Sequence, residues 1–255
     1  MKTHIVQSGW VKGKSTSSLA FNISQFFPSL NHKLLTLILE KAGLNSKVTS
    51  FFANYLVKRK TSYVWNDFSS PSFEVNVGVD QRSALSPILS ALYLTPFLYI
   101  LEKQFKNLKI PISILSFIDD GLIIAQNKSL DISNSYIFCS YNILSKLLDS
   151  FGLAIKHSKT EIFHFSRSQG FFNPPSLDLS LIGGPILQPK DTWKYLGFIF
   201  DRKLMFYKHI NHYSNKAISS VKCMKLLGNL SQDINPLQKQ LLYICCILSI
   251  ALYGF

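Results

Sequence analysis

The stretch Ser113-Ile-Leu-Ser-Phe-Ile-Asp-Asp-Gly-Leu-Ile-Ile124 constrains the fold of this chain more than any other. Short apolar runs lie on either side of Asp119, Asp120 and Gly121. Runs of this length, bounded by turn-forming residues, read as buried strands, and Asp-Asp-Gly between them reads as a tight hairpin turn. Two adjacent carboxylates at the tip of an apolar hairpin have two readings. One is an ordinary Asp-Gly turn. The other is a Mg²⁺ site, because hard divalent cations take carboxylate oxygens held on a rigid element. The stretch alone does not separate them.

Charge distribution bears on that choice. The 255 residues carry a net charge of +13. Residues 1–60 hold nine Lys/Arg and one acid, residues 190–240 nine and three, and residues 61–189 nine and ten. Two basic flanks therefore enclose a slightly acidic centre that contains the Asp pair. A polyanion gripped on both sides of a metal site produces that pattern, as do basic faces that only solubilise. With 47% hydrophobic residues the chain is long and apolar enough for a sizeable core, in one large domain or two small ones.

Cys139, Cys223, Cys245 and Cys246 show neither C-x-x-C spacing nor histidines at zinc spacing, and are expected as reduced core thiols. The first 18 residues lack a signal h-region. The longest apolar run, Leu241 to Phe255, has fifteen residues, short of the roughly 20 that span a membrane. It is expected as a buried helix, in an intracellular protein with no membrane partner.

Along the chain, residues 1–18 read as a basic, Ser/Thr-rich lead and Leu19 to Ile23 as a strand. Asn31 or Ser29 caps a helix over His32 to Lys41 that Gly43 ends. A second helix, Ser46 to Lys58, carries Val48, Phe51, Phe52, Tyr55 and Leu56 on one face. Thr61 to Val77 reads as a hairpin. A loop, Gly78 to Pro87, opens a long apolar helix from about Ala84 to Phe105. After the Asp hairpin come a helix (Ser133 to Ser150), a strand (Lys159 to Ser166), a hairpin turning at Gly183-Gly184, a strand (Trp193 to Asp201) and two helices (about Tyr207 to Leu227 and Pro236 to Tyr253). That order predicts an α+β fold, an antiparallel sheet backed by helices.

Five blocks carry a resemblance. They are Phe21-Asn-Ile-Ser-Gln-Phe-Phe-Pro-Ser-Leu-Asn31, Gly78 to Pro87, Phe117-Ile-Asp-Asp120, His157-Ser-Lys-Thr-Glu161 and Trp193-Lys-Tyr-Leu-Gly-Phe198. In this order and spacing the chain resembles the reverse transcriptase domain of non-LTR (LINE-type) retrotransposons of fungal type. The Phe-x-Asp-Asp block alone is weak, whereas five ordered blocks over residues 10 to 255 are specific.

The resemblance implies a polymerase palm over 19–190, then a primer-grip strand and the beginning of a helical thumb over 191–255. It implies RNA-directed DNA synthesis with two Mg²⁺ ions, an RNA template, a DNA primer and dNTP. Asp119, Asp120 and the backbone of Ile23 would face the metal, with Asn22 in place of a further ligand. Lys159 would donate a proton to pyrophosphate. Phe27 would exclude a ribose 2′-OH, Gln81 and Arg82 would lie near template and nucleotide, and Trp193, Tyr195, Leu196 and Gly197 would hold the primer end.

Three departures follow from the same comparison. Asn22 stands where the family has Asp, so one ligand charge is missing. Arg82 stands where the family has Gly, whose bare backbone allows close approach to substrate. Only 21 residues precede Asn22, so the family's fingers are expected to be largely absent. The expectation is a truncated, degenerate domain with impaired catalysis.

Overall fold

The computed structural model describes residues 2–81, 83–167, 173–228 and 235–254. Its centre is strand β1 (Ser15–Ser24), which follows helix α1 (Lys2–Val11). Residues 1–18 are thus not a lead: they hold a helix and the first part of the central strand. Thr16, Ser17 and Ser18 are fully buried there. Their hydroxyls hid the strand from a reading of apolar runs. The structure supplies polar partners for two of them: Gln126 Nε2 donates to Thr16 Oγ1 (3.1 Å), and Ser17 Oγ bonds His164 Nδ1 (2.8 Å), whereas Ser18 Oγ has none among the described residues.

The short α2 (Phe26–Ser29) leads into α3 (His32–Lys41), where Asn31 accepts from Leu34 N as the N-cap and Gly43 follows the end at φ +72. Helix α4 (Ser46–Leu56) buries Thr49, Phe52 and Leu56, whereas Val48 and Phe51 point to solvent. The next segment is a nested ribbon. Strands β2 (Arg59–Thr61) and β5 (Phe73–Val75) pair outside, and β3 (Val64–Trp65) and β4 (Phe68–Ser69) pair at the tip. Helix α5 (Ser86–Asn107) buries Leu89, Tyr93, Phe97, Leu101 and Phe105, an i, i+4 stripe. Each such side chain contributes roughly 1.5–3 kcal/mol on burial.

Strands β6 (Ile112–Phe117) and β7 (Asp120–Asn127) form the Asp hairpin. Its turn is Ile118-Asp119, with Ile118 at φ +56, rather than Asp-Asp-Gly. Asp120 and Gly121 already belong to β7. Helix α6 (Leu130–Ser150) crosses back to β8 (Ala154–Ile155) and β9 (Glu161–Phe165). The sheet runs β6-β7-β1, with β8 and β9 in line along the other side of β1, all antiparallel. A small pair, β10 (Leu177–Asp178) with β11 (Ile186–Leu187), precedes β12 (Thr192–Tyr195) and β13 (Phe198–Asp201). Trp193 to Asp201 is therefore a hairpin turning at Leu196-Gly197, not a single strand. Helix α7 (Tyr207–Gly228) and helix α8 (Pro236–Leu242), continued by a π turn at Tyr243–Leu248 and by α9 (Ser249–Ala251), close the chain.

This is the α+β arrangement expected. One sheet face packs on α5 and α6 through Leu19, Phe21, Ile23 and Ile123. The other carries Ala20, Leu122, Ile124 and Phe163 against Val6 of α1 and Trp193 and Phe200 of the late hairpin. Two further expectations fail. The four cysteines are exposed, because each sits on an outward helix position. The C-terminal helix is not buried: Leu241, Tyr243, Ile244 and Leu252 are exposed and Ile247 alone among them is covered. Among the described residues no helix is long and apolar enough to cross a membrane.

Candidate active site

The β1–β7 ladder fixes the site. Its last pair is Asn22 opposite Asp120, and the turn residue Asp119 stands beside them. The Asn22 side-chain amide donates to Asp119 Oδ2 (3.0 Å) and to Asp120 Oδ1 (3.1 Å). Asp119 also accepts through its carbonyl from Ile23 N at 2.9 Å. The three residues that the sequence places on two distant strands thus meet at one end of the sheet, all partly buried. Gly121 permits this closeness. A Cβ there would lie 2.0 Å from the Phe21 ring on the neighbouring strand.

The donor set can be compared with what a pair of divalent ions needs. Two carboxylates stand here, and the third position presents an amide whose N–H groups are spent on those carboxylates. Among the described residues no group of three or more His, Cys, Asp or Glu side chains gathers anywhere. Hard cations take oxygen ligands and are held by their charge. Two negative charges with a donor wedged between them do not fit two Mg²⁺ ions.

Other expected residues fall into three groups. Tyr195 is brought to the site: its phenol is pushed up to about 12, by burial first and by the negative charge of Asp120 second. Leu196 and Gly197, at φ +47 and +80, form the turn beyond it. Two tyrosines hold that turn: Tyr213 Oη donates to Gly197 O (2.9 Å) and Tyr253 Oη to Leu196 O (3.0 Å). Lys159 ends a 3-10 turn, His157–Lys159, with an exposed side chain. The turn is tied to the site by the Lys156 N–H, which donates to Asn22 O at 2.8 Å. Gln81 is exposed on the loop that lines an open cleft of about 740 Å³ with Arg59, Lys60 and Gly78. Arg82 lies outside the described residues.

The third group is buried. Trp193 is 1% exposed and stacks on Phe163 (5.7 Å, 22°). Phe27 is 9% exposed within the main core. Both rings are packed within the core. The backbone beside Phe27 joins the first and second blocks: Val79 N donates to Phe27 O (2.8 Å) and Gly78 N to Leu30 O (2.8 Å).

Residues the sequence reading missed include Tyr213, Tyr253 and His209. His209 is 1% exposed. Its Nε2 donates to Tyr253 O (2.9 Å), and its Nδ1 accepts from Ile199 N (3.2 Å), so it ties α7, the late hairpin and the C-terminal helix together. The signal available was the spacing of Phe206, His209, Tyr213 and Ala217, one stripe of a helix.

The profile of the family described as reverse transcriptase (RNA-dependent DNA polymerase) matches residues 2–200. No curated protein matches the chain. Among solved structures, telomerase from Candida tropicalis in complex with a TWJ fragment of telomeric RNA aligns with 80% of this chain and 32% of its own, at 12% identity and a TM-score of 0.56. Apo telomerase from Candida tropicalis aligns with 80% and 35%, at 12% identity and a TM-score of 0.51. At such identity the likeness is one of fold, and the chain spans about a third of the length of those telomerases.

Proposed function

We propose that this chain, which belongs to the reverse transcriptase (RNA-dependent DNA polymerase) family, is a domain of a non-LTR retroelement that binds an RNA template paired to a DNA primer and is impaired in nucleotide transfer. The observation that carries the reading is the double hydrogen bond from the Asn22 amide to Asp119 and Asp120. The amide satisfies both carboxylates and brings no charge of its own. In the two-ion scheme each cation stabilises the attacking or leaving oxygen, and the effect is worth several kcal/mol. A site one carboxylate short forfeits much of it, and no step is assigned to a second ion here.

What remains is a grip. Asn22, Asp119, Asp120 and Tyr195 share one end of the sheet, with the late hairpin turn held rigid by Tyr213 and Tyr253. The net charge of +13 suits a phosphate backbone. The non-LTR assignment rests on the sequence blocks.

The test is primer extension on a primed RNA template with dNTPs and Mg²⁺, run beside a duplex-binding measurement on the same sample. The expected result is binding with no extension. Extension by the unmodified chain overturns the impairment, and failure to bind duplex overturns the grip.

A further inference from the structure

The ribbon at 59–75 exposes aromatic surface that the fold leaves uncovered. Tyr63 is 70% exposed, Trp65 77%, Phe68 64% and Phe73 41%. These rings lie together. Trp65 pairs directly with Phe68 across the tip, so both project from one side. Tyr63 precedes Trp65 by two residues and continues the ladder, its carbonyl accepting from Ser70 N at 2.8 Å. Its ring meets that of Phe73 at 5.4 Å. Successive rings along one strand are about 6.6 Å apart.

The root of the ribbon is basic. Lys58, Arg59 and Lys60 enter it, and Arg59 and Lys60 line the cleft that Gln81 also borders. Arg59 is engaged with Gly78 O and Asp80. Two acids are present, Asp67 in the tip turn and Glu74 opposite Lys60. A surface with rings outward and cations at one end suits a chain that carries flat faces on a charged backbone.

We propose that this ribbon is a binding platform for single-stranded nucleic acid, with unpaired bases stacking on Tyr63, Trp65, Phe68 and Phe73 and the phosphates running toward the basic root of the ribbon. The inference rests on the reading of the chain as a nucleic-acid binder, and it assigns the unpaired portion of the strand. Stacking on aromatic side chains needs no particular sequence, because every base has a π-face. A duplex hides those faces, so the platform distinguishes single from double strands.

Trp65 makes the test direct. Of the three tryptophans, Trp193 is buried and Trp65 is the one 77% exposed. The probes are a dT₁₂ oligonucleotide and an abasic strand of equal length, titrated against the full chain while tryptophan emission is followed. Expected are quenching by dT₁₂, weak binding of the abasic strand, and a Kd raised about tenfold in Trp65→Ala and in Phe68→Ala. Leu181→Ala, at an exposed apolar position off the ribbon, should leave the Kd unchanged. Both ribbon residues are exposed, so an unchanged circular dichroism spectrum shows the variants fold.

Equal affinity for the abasic strand overturns the proposal, as does an unchanged Kd in Trp65→Ala. Self-association abolished by Trp65→Ala, with no effect on dT₁₂, assigns the ribbon to a second copy of the chain and also overturns it. Duplex binding measured in parallel separates the two readings. Loss of single-strand stacking with duplex binding intact defeats this inference alone, and the reverse defeats only the duplex grip.

Discussion

Phe21 and Gly121 stand directly opposite each other in the β1–β7 ladder, and the Phe21 ring fills the space that any larger residue at 121 would need. A Cβ there would sit 2.0 Å from the ring. Gly121→Ala must therefore move the ring or part the strands. Overpacking of this kind costs about 1–3 kcal/mol, and the strands would part next to the Asn22–Asp120 pair. Urea unfolding should show that loss, and Phe21→Leu in the same chain should recover part of it. A Gly121→Ala variant as stable as the parent would mean that the ladder is looser than drawn.

Asn22→Asp exchanges the donor for a third carboxylate. Without metal the variant loses two hydrogen bonds to charged groups and gains repulsion, so it should unfold more easily, by about 3 kcal/mol. Added Mg²⁺ should raise its Tm in proportion to binding and raise that of the parent much less. The check is a thermal melt in EDTA and at increasing Mg²⁺. Equal responses in both proteins would show that the missing charge is not what limits the site.

Duplex binding should depend steeply on salt. If the basic flanks neutralise six to ten phosphates, affinity should fall by roughly 10³–10⁵ between 50 and 200 mM salt. Titrations at several salt concentrations give the slope. A flat response would leave the positive charge with no role beyond solubility.

His164 makes stability depend on pH. It is 2% exposed, and burial, its main cause, lowers its pKa to about 4. Pro175 O can only accept, so Nε2 carries the proton (3.2 Å), and Nδ1 accepts from Ser17 Oγ (2.8 Å). The folded state thus holds the neutral ring. Because its pKa lies below the unfolded value of about 6.5, the unfolded chain binds more protons as pH falls. Its stabilising contribution is complete above that value and is lost on going down toward 4. Between pH 7 and pH 5 about 2 kcal/mol should disappear. His164→Gln should flatten this part of the urea-midpoint profile. An unchanged profile would place the titration elsewhere.

Much of this was legible in the sequence, for reasons that differ by residue. Asn31 and Gly43 mark the ends of α3 because capping is local chemistry. The Asp hairpin is legible from two apolar runs. Its turn starts one residue before the Asp-Asp-Gly expected, because Ile118 adopts φ +56, which few β-branched residues do. The family blocks predict the convergence of Asn22 with Asp119 and Asp120, whereas the amide's donation to both acids depends on side-chain geometry that sequence does not carry. The strand start at Thr16 and Ser17 is not legible, because the burial of these hydroxyls is decided by partners, Gln126 and His164, far along the chain. The cysteines and the C-terminal helix were misjudged for the opposite reason: apolar character does not say whether a neighbour exists to cover it.

Strand β1 has partners along both edges, and none of them is local. Asn22 meets Asp120 across 98 residues, and Ser17 meets His164 across 147. Contacts so distant in sequence close late and slow the search for the native state. During synthesis β1 leaves the ribosome with both edges bare and waits for β7 and then β9, an interval in which an unpaired strand can capture another chain. The amides of Thr16 to Ala20, enclosed on both sides once β9 docks, should be among the last to exchange with solvent.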